Sequence, residues 1–296
     1  MSAERRGGGR NRAGGGARRG GERGTDRGAR SGRRDGGREE YGERRASSGE
    51  RGLGGDQVEG INAVRELLRA HRRPIREVLI ATGREEREGI DEIVDLAFEG
   101  GVRVREVAPA QLAAMAKSEA PQGVLARAAA IEPVDPDTLL ADPRAFIVAL
   151  DGVTDPGNLG AVMRTAELAG ATGIVIPKHR SARLSPAAMK AAAGAAEWLP
   201  VAQAAGLPAF LDRARRAGVW SVGLDADGET DVHDLPVADA PVVLVLGAEG
   251  RGLARLTRDR CELVARIDLV GHLDSLNVSA AAAVACFAVA RHRAAG

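Results

Sequence analysis

The chain has 296 residues, of which 44% are apolar and only 2% aromatic, with 39 glycines and a formal net charge of +1. That length suggests about two domains with enough chain to bury a sizeable core. The near-neutral total hides an asymmetry: residues 1–55 hold 15 arginines against 8 acids and 18 of the glycines, leaving 27 Lys/Arg against 33 Asp/Glu for the remainder.

Such an N-terminal composition cannot offset its own ordering entropy, so residues 1–55 read as a disordered Arg/Gly-rich tail. Guanidinium groups engage phosphates and stack on bases, so the tail reads as an electrostatic arm for nucleic acid. A solubilising extension is the alternative. The tail is too acid-rich for a mitochondrial transit peptide. With no apolar signal region and no run of about 18 apolar residues, neither secretion nor a membrane span is expected. Cys261 and Cys286 lack metal-ligand or CxxC spacing and are expected to be reduced core residues of a cytosolic protein.

The folded part is expected to begin near Asp56, where "DQVEGINAVRELLRA" predicts an amphipathic helix ended at "HRRP". "IREVLIA" reads as a strand and "GIDEIVDLAFEGG" as a helix closing on two glycines. "VRVREVA" alternates apolar and charged residues, as a half-buried strand does. A short helix in "PAQLAAMAKSEA" and a strand in "QGVLARAAA" complete a small α/β domain over 56–131. "EPVDPDTLLADP", residues 132–143, is rich in proline and aspartate and reads as a linker.

A second domain, 144–296, starts with the apolar strand "AFIVALDGV". A helix from Ala161 to Ala169, the strand "GIVIP", the helix "SPAAMKAAAGAAEW", the strand "LPVA", the helix "LPAFLDRARRAG" and the strand "VWSVGLD" follow. "PVVLVLG" has the continuous apolar character of a fully buried strand, and "LVARIDL" is the last strand before the apolar helix "VSAAAAVACFAVA". This alternation predicts a parallel sheet with helices on both faces, whose ligands bind beyond the carboxyl ends of the strands. Three polar turns fall there, around Asn158/Arg164, Gly247/Glu249 and Ser275/Asn277/Ser279.

The turn "DGVTDPGNLG" begins like a phosphate-binding loop, but Asn158 and Leu159 stand where such a loop needs Lys and Ser/Thr. Neither this turn nor "GAEGRGL" has the register of a dinucleotide fingerprint. No HExxH, GxSxG or Cys/His cluster supports metal-dependent hydrolysis or serine acyl transfer, and no metal site is expected. The scarcity of aromatic residues argues against RNA modules built on aromatic stacking pairs.

The three turns resemble the SpoU (TrmH-type) branch of the knotted SPOUT methyltransferases, which methylate ribose 2′-hydroxyls in structured RNA. "PGNLGAVMRTA" carries Asn158, Gly160 and Arg164. "LVLGAEGRGL" carries Gly247, Glu249 and Gly252, and "RIDLVGHLDSLNVSAAAAV" carries Ser275, Leu276, Asn277 and Ser279. Asp268 departs from the proline usual in the third motif. The N-terminal unit, with "EGINAVRELL" and "QGVLA", resembles the small RNA-binding domain that precedes the catalytic domain of rRNA guanosine 2′-O-methyltransferases. The resemblance implies a C-terminal deep trefoil knot, a homodimer, and S-adenosylmethionine held near Gly247, Ile267, Leu269, Ser275 and Leu276.

The resemblance also gives roles, each set against a plainer one. Arg164 is implied as a clamp that positions the ribose through phosphate, rather than an exposed helix arginine. Asn158 is implied to orient substrate or Arg164, and it also suits the cap of a helix beginning at Leu159. Glu249 is either an ion partner of Arg164 or a solvated loop carboxylate. Ser275, Asn277 and Ser279 surround the start of the final helix and suit its cap, while hydrogen bonding to substrate or cofactor is implied for Asn277 and Ser279. Arg180 and Arg183 are read as contacts to RNA backbone or as a solvated face, and His179 and His272 as bystanders. The final helix is apolar around most of its circumference, which suits burial against a second subunit.

The expected function is therefore S-adenosylmethionine-dependent 2′-O-methylation of a ribose in structured RNA, a guanosine of 23S rRNA being favoured. The alternatives are tRNA guanosine methylation, rRNA adenosine methylation that confers antibiotic resistance, and a non-catalytic RNA-binding ribosome-assembly factor.

Overall fold

The computed structural model describes residues 52–83 and 89–295, so the Arg/Gly-rich tail lies outside the described residues except for its end. That end is folded, contrary to the expectation for 1–55. Leu53 is buried and its N–H donates to the Ile131 carbonyl at 2.8 Å, while Gly54 bridges Leu184.

A small sheet comes first. Gly60, with φ of 95°, interrupts the helical pattern read from Asp56. Residues Gln57–Glu59 are therefore extended as β1, and helix α1 is confined to Ile61–Ala70. Then come β2 (Ile75–Ala81), α2 (Ile90–Glu99), β3 (Val104–Val107), α3 (Pro109–Met115) and β4 (Val124–Ala128). The sheet order is β1-β4-β2-β3, with β2 and β3 parallel and the other pairs antiparallel. Helices α1 and α2 bury Val64, Leu67, Ile93 and Ala97, while α3 covers the other face with Leu112 against Leu79, Val107 and Leu125.

Residues 132–143, read as a linker, are packed along the second sheet. Val134 bridges Ala202, and Asp135 caps a short helix α4 (Pro136–Leu140) that buries Leu139 and Leu140.

The larger unit runs β5 (Phe146–Asp151), α5 (Pro156–Leu168), β6 (Gly173–Pro177), α6 (Pro186–Ala192), α7 (Ala195–Trp198), β7 (Val201–Ala204), α8 (Leu207–Arg216) and β8 (Trp220–Leu224). It continues with β9 (Thr230–Asp231), β10 (Val242–Gly247), α9 (Arg255–Arg258), β11 (Leu263–Arg266) and α10 (Val278–Ala295). A single helix was expected over α6 and α7. The left-handed backbone of Ala193 and Gly194 divides it.

The seven strands lie in the order β7-β6-β5-β10-β8-β11-β9, and every neighbouring pair is parallel. Strand alternation splits the central residues between two cores. Phe146, Val148 and Leu150 face α5 and α10, whereas Ile147 and Ala149 face α4 and α8. Burial on both faces explains the unbroken apolar runs of β5 and β10. At the far end of α10, Arg293 donates to the carbonyls of Arg144, Ala145, Ala238 and Ala240 and lies over the Phe146 ring.

The small sheet is joined to the large one through α1, α6 and α7. Arg73 and Glu197 form an ion pair at 2.6 Å with side chains only 9% and 2% exposed. Arg73 also donates to the Gly55 and Ala129 carbonyls. Arg72 stacks on Trp198, Trp198 donates to Glu66, and Lys190 donates to the carbonyls of Glu119 and Ala120. Among the described residues, no helix is long and apolar enough to cross a membrane.

Candidate active site

The carboxyl ends of β5, β10 and β11 lead into the three polar turns, and the fold brings these together. The first differs from its reading. Helix α5 begins at Pro156, five residues before Ala161, because Asp155 caps it by accepting the Asn158 N–H at 2.7 Å and proline suits the first helical position. Gly157 and Gly160 are thus helical residues. Asn158 is not the cap, and its side chain is left for tertiary contacts.

Those contacts form a chain of hydrogen bonds across the three turns. Asn158 Nδ2 donates to Glu249 Oε2 at 3.5 Å, a long bond, and Asn277 Nδ2 donates to Asn158 Oδ1 at 3.1 Å. Asn277 Oδ1 accepts the Ser279 N–H at 2.8 Å and its hydroxyl at 2.6 Å. Asn277 is therefore at once the cap of α10 and the link to α5.

Arg164 lies outside this chain. It sits on the exposed face of α5, and its side chain makes no hydrogen bond or ion pair among the described residues. Glu249 faces Asn158 in its place, so the expected Glu249–Arg164 ion pair is not formed.

Beside the network opens a cavity of about 680 Å³, within the roughly 300–1,000 Å³ of small-molecule sites. Gly247, Ile267, Leu269, Ser275 and Leu276 all line it, as does Glu249. The Gly247 position admits no side chain, because a Cβ there would run into the Gly252 backbone. The turn folds back on itself through Ala248 N–H to Gly252 O and Gly252 N–H to Ala248 O. Asp151, at the end of β5, accepts the Ala254 N–H at 2.8 Å and ties this turn to the first.

Sequence reasoning did not single out Asp151, Asp155, Asp225, Asp227 or Arg266. Asp225 and Asp227 line the cavity from the turn after β8. The available signal was their place just past the carboxyl end of a strand in a parallel sheet. Asp155 stands directly before a proline, an N-terminal helix signature that was there to read.

Arg180 and Arg183 are exposed on the loop between β6 and α6. Ala182 N–H to Val153 O, at 2.9 Å, ties that loop to the turn that leads into α5. His179 and His272 are exposed and do not line the cavity. Cys261 and Cys286 are free thiols that burial pushes up to about 12, so neither is a nucleophile.

Comparison with known proteins bears on this arrangement. Residues 145–287 match the SpoU rRNA Methylase family, and residues 57–134 match the family described as RNA 2′-O ribose methyltransferase substrate binding. The 23S rRNA (guanosine-2′-O-)-methyltransferase RlmB of Pseudomonas putida is 34% identical over 244 residues, covering 80% of this chain and 97% of the relative. The chain belongs to the SpoU rRNA methylase family.

An uncharacterized tRNA/rRNA methyltransferase of Mycobacterium sp. (strain KMS) is 39% identical over 241 residues, covering 80% and 76% of the two chains. Among solved structures, the SpoU methyltransferase AviRb from Streptomyces viridochromogenes, in complex with the cofactor AdoMet, is similar with a TM-score of 0.68. It is 28% identical and covers 81% of this chain and 91% of that one. The AdoMet-bound rRNA methyltransferase from Sinorhizobium meliloti aligns with a TM-score of 0.66 and 27% identity, covering 80% and 87%. As a SpoU family member the chain is an RNA 2′-O-ribose methyltransferase.

Proposed function

We propose that this enzyme transfers a methyl group from S-adenosylmethionine to the 2′-hydroxyl of a guanosine in 23S rRNA. The observation that carries the reading is the hydrogen-bonded chain Glu249–Asn158–Asn277–Ser279 at the rim of the cavity. The similarity to the Pseudomonas relative named for that reaction favours guanosine of 23S rRNA over the other RNA targets.

The cavity residues fit the methyl donor. Ile267, Leu269 and Leu276 offer apolar surface for a nucleoside, the side-chain-free Gly247 lets backbone approach it, and Asp225 and Asp227 suit a cationic ligand. Gly247, Ile267, Leu269, Ser275 and Leu276 would hold it. Bound there, S-adenosylmethionine supplies an electrophilic methyl group on a positively charged sulfur.

The protein's part is orientation. Asn158 and Asn277 fix each other at the rim, where the ribose must be held in line with the methyl group. Arg164, exposed and unpaired among the described residues, clamps the RNA phosphate beside that ribose and stabilises negative charge developing on the 2′-oxygen. An arginine stays protonated in proteins, so it is not the proton acceptor. Glu249 is the carboxylate within the hydrogen-bonded chain, and so the group there able to hold the hydroxyl proton.

The remaining features belong to the same proposal. The small domain over 56–131 binds substrate RNA, Arg180 and Arg183 extend that surface, and residues 144–296 carry out catalysis. The C-terminal segment threads the 248–253 turn as a knot, a reading supported by both segments lining one cavity. Leu168 on α5 and Phe287 on α10 are 63% and 49% exposed, and these two packed helices offer apolar surface for a second copy of the chain. The free thiols and an rRNA substrate support a cytoplasmic location.

The test is to incubate the protein with methyl-labelled S-adenosylmethionine and either rRNA or tRNA transcripts, then map the label. A labelled guanosine ribose in 23S rRNA is expected. Label on tRNA alone, or on an adenosine, overturns the substrate reading, and no label on any RNA despite cofactor binding overturns the reaction.

A further inference from the structure

One wall of the cavity, residues 267–276, has no regular secondary structure, and residues 268–273 make no backbone–backbone hydrogen bond among the described residues. Val270 and Leu273 on it are almost fully exposed, so packing does not hold its middle in place. A second wall is the turn 225–229 between β8 and β9, whose Asp225, Ala226 and Asp227 line the same cavity. That turn is well tied to β11, through Asp225 N–H to Ala265 O at 2.9 Å and Glu229 N–H to Val264 O at 3.1 Å. Gly228 lies flat against the strand, since a Cβ there would meet the backbone of Ala265 and Arg266. The two walls of one pocket therefore differ in how firmly they are built.

Arg266 connects them. It is the last residue of β11 and immediately precedes the loose wall. Its Nη1 donates to the carbonyls of Gly228 at 3.1 Å and Glu229 at 2.8 Å, and its Nε donates to Asp268 Oδ1 at 2.7 Å. One guanidinium thus holds the 225–229 turn on one side and the start of the 267–276 wall on the other. Only the planar, multi-donor head of arginine provides that geometry, since an ammonium has no rigid fork. Asp268 is 61% exposed and an exposed ion pair alone is weak. Its value here is that it is the anchor of a segment with no backbone bonds of its own.

We propose that Arg266 and Asp268 are positioning residues for the methyl donor, setting the width of the pocket between Asp225–Asp227 and Ile267–Leu269. Neither needs to touch the ligand. The proposal rests on the reading of this cavity as the S-adenosylmethionine site.

The test uses the full chain and two measurements: calorimetric affinity for S-adenosylmethionine and for S-adenosylhomocysteine, and amide hydrogen exchange without ligand. Arg266→Ala is expected to weaken both ligands about tenfold or more, with Arg266→Lys recovering part of the loss. Asp268→Ala is expected to weaken them a few-fold and to add little on top of Arg266→Ala, because the two act as a unit. Asp268→Pro is expected to stay close to wild type, because a fixed φ replaces the ion pair as the restraint and residue 268 uses no backbone N–H in a bond. Exchange in Arg266→Ala is expected to quicken at the hydrogen-bonded amides of 225–231 and nowhere else, residues 268–273 having no backbone bond to lose.

Wild-type affinity in both alanine variants overturns the proposal. So does an exchange increase spread over the whole chain, which marks a merely structural role. A wild-type protein that binds neither ligand counts against the methyl-donor reading instead, and the exchange comparison then still decides whether Arg266 holds the 225–229 turn.

Discussion

Asn158 and Asn277 are 119 residues apart in the chain, and their side chains meet at 3.1 Å. Each belongs to a helix start on a different strand end. Asn158 is freed by the Asp155 cap, whereas Asn277 caps its own helix with the oxygen it does not share. The bond makes the geometry of this end of the site depend on both helices together.

Asn277→Asp keeps an oxygen for the Ser279 N–H but cannot donate to Asn158. It should therefore retain most of its thermal stability and lose about 10–100-fold in methyl transfer, the scale expected for misplaced reactants. Asn158→Ala should cost a similar factor, and the double variant should be little worse than either single one. Single-turnover transfer rates read beside melting curves check this.

Arg164 is exposed and unpaired among the described residues, so Arg164→Ala should change stability by less than about 0.5 kcal/mol. Methyl transfer should fall about 10²–10³-fold, the usual cost of losing a donor to developing charge. Cofactor affinity should not change. Lysine should recover little, because it cannot grip a phosphate with two parallel bonds. Steady-state kinetics and calorimetry on the same preparations separate these effects.

Glu197 and Arg73 are a buried pair between the two sheets. Glu197→Ala leaves the Arg73 guanidinium buried and uncompensated, which should cost about 3–5 kcal/mol in denaturant unfolding. Replacing both residues with apolar ones of similar volume should cost much less. Equal losses in the single and double variants would contradict this account.

Glu59 is fully buried and accepts the Lys117 and Ser118 N–H groups, the Ser118 hydroxyl and the Gln57 amide. Burial alone would raise its carboxyl, but these donors outweigh it and hold the group below its ordinary value. A carboxyl lowered by folding adds stability above the pH at which the unfolded chain titrates, and that stability is lost as pH falls through the native value. The stability gap between wild type and Glu59→Gln should therefore be widest near neutral pH and close in acid. Unfolding curves from pH 7 down to pH 3 measure it.

The basic arm can be removed only up to Arg51, because Leu53 is buried and Gly54 pairs with Leu184. Deleting residues 1–51 should weaken RNA binding and flatten its dependence on salt, since fewer counterions are released, while leaving cofactor affinity intact. An unchanged slope in a filter-binding salt titration would refute a nucleic-acid role for the arm.

Much of this was legible in the chain itself. The apolar runs of β5 and β10, the alternation of strands and helices, and three polar turns at strand ends follow from local pattern and named the parallel sheet and its rim. The family resemblance named Asn158, Gly247, Asn277 and the cavity residues, and close backbone approach accounts for the glycine among them. What pattern could not decide were contacts between distant segments. Nothing local tells that Gly60 ends β1 before α1, that residues 132–143 pack instead of tethering, or that Glu249 turns to Asn158 and away from Arg164. Arg266 looked like one more charge on a strand, and only the fold put Gly228 and Glu229 within its reach. Propensity and periodicity are properties of a few neighbouring residues. The width of a pocket and the partner of a charge are set where segments distant in the chain are pressed together by a shared core.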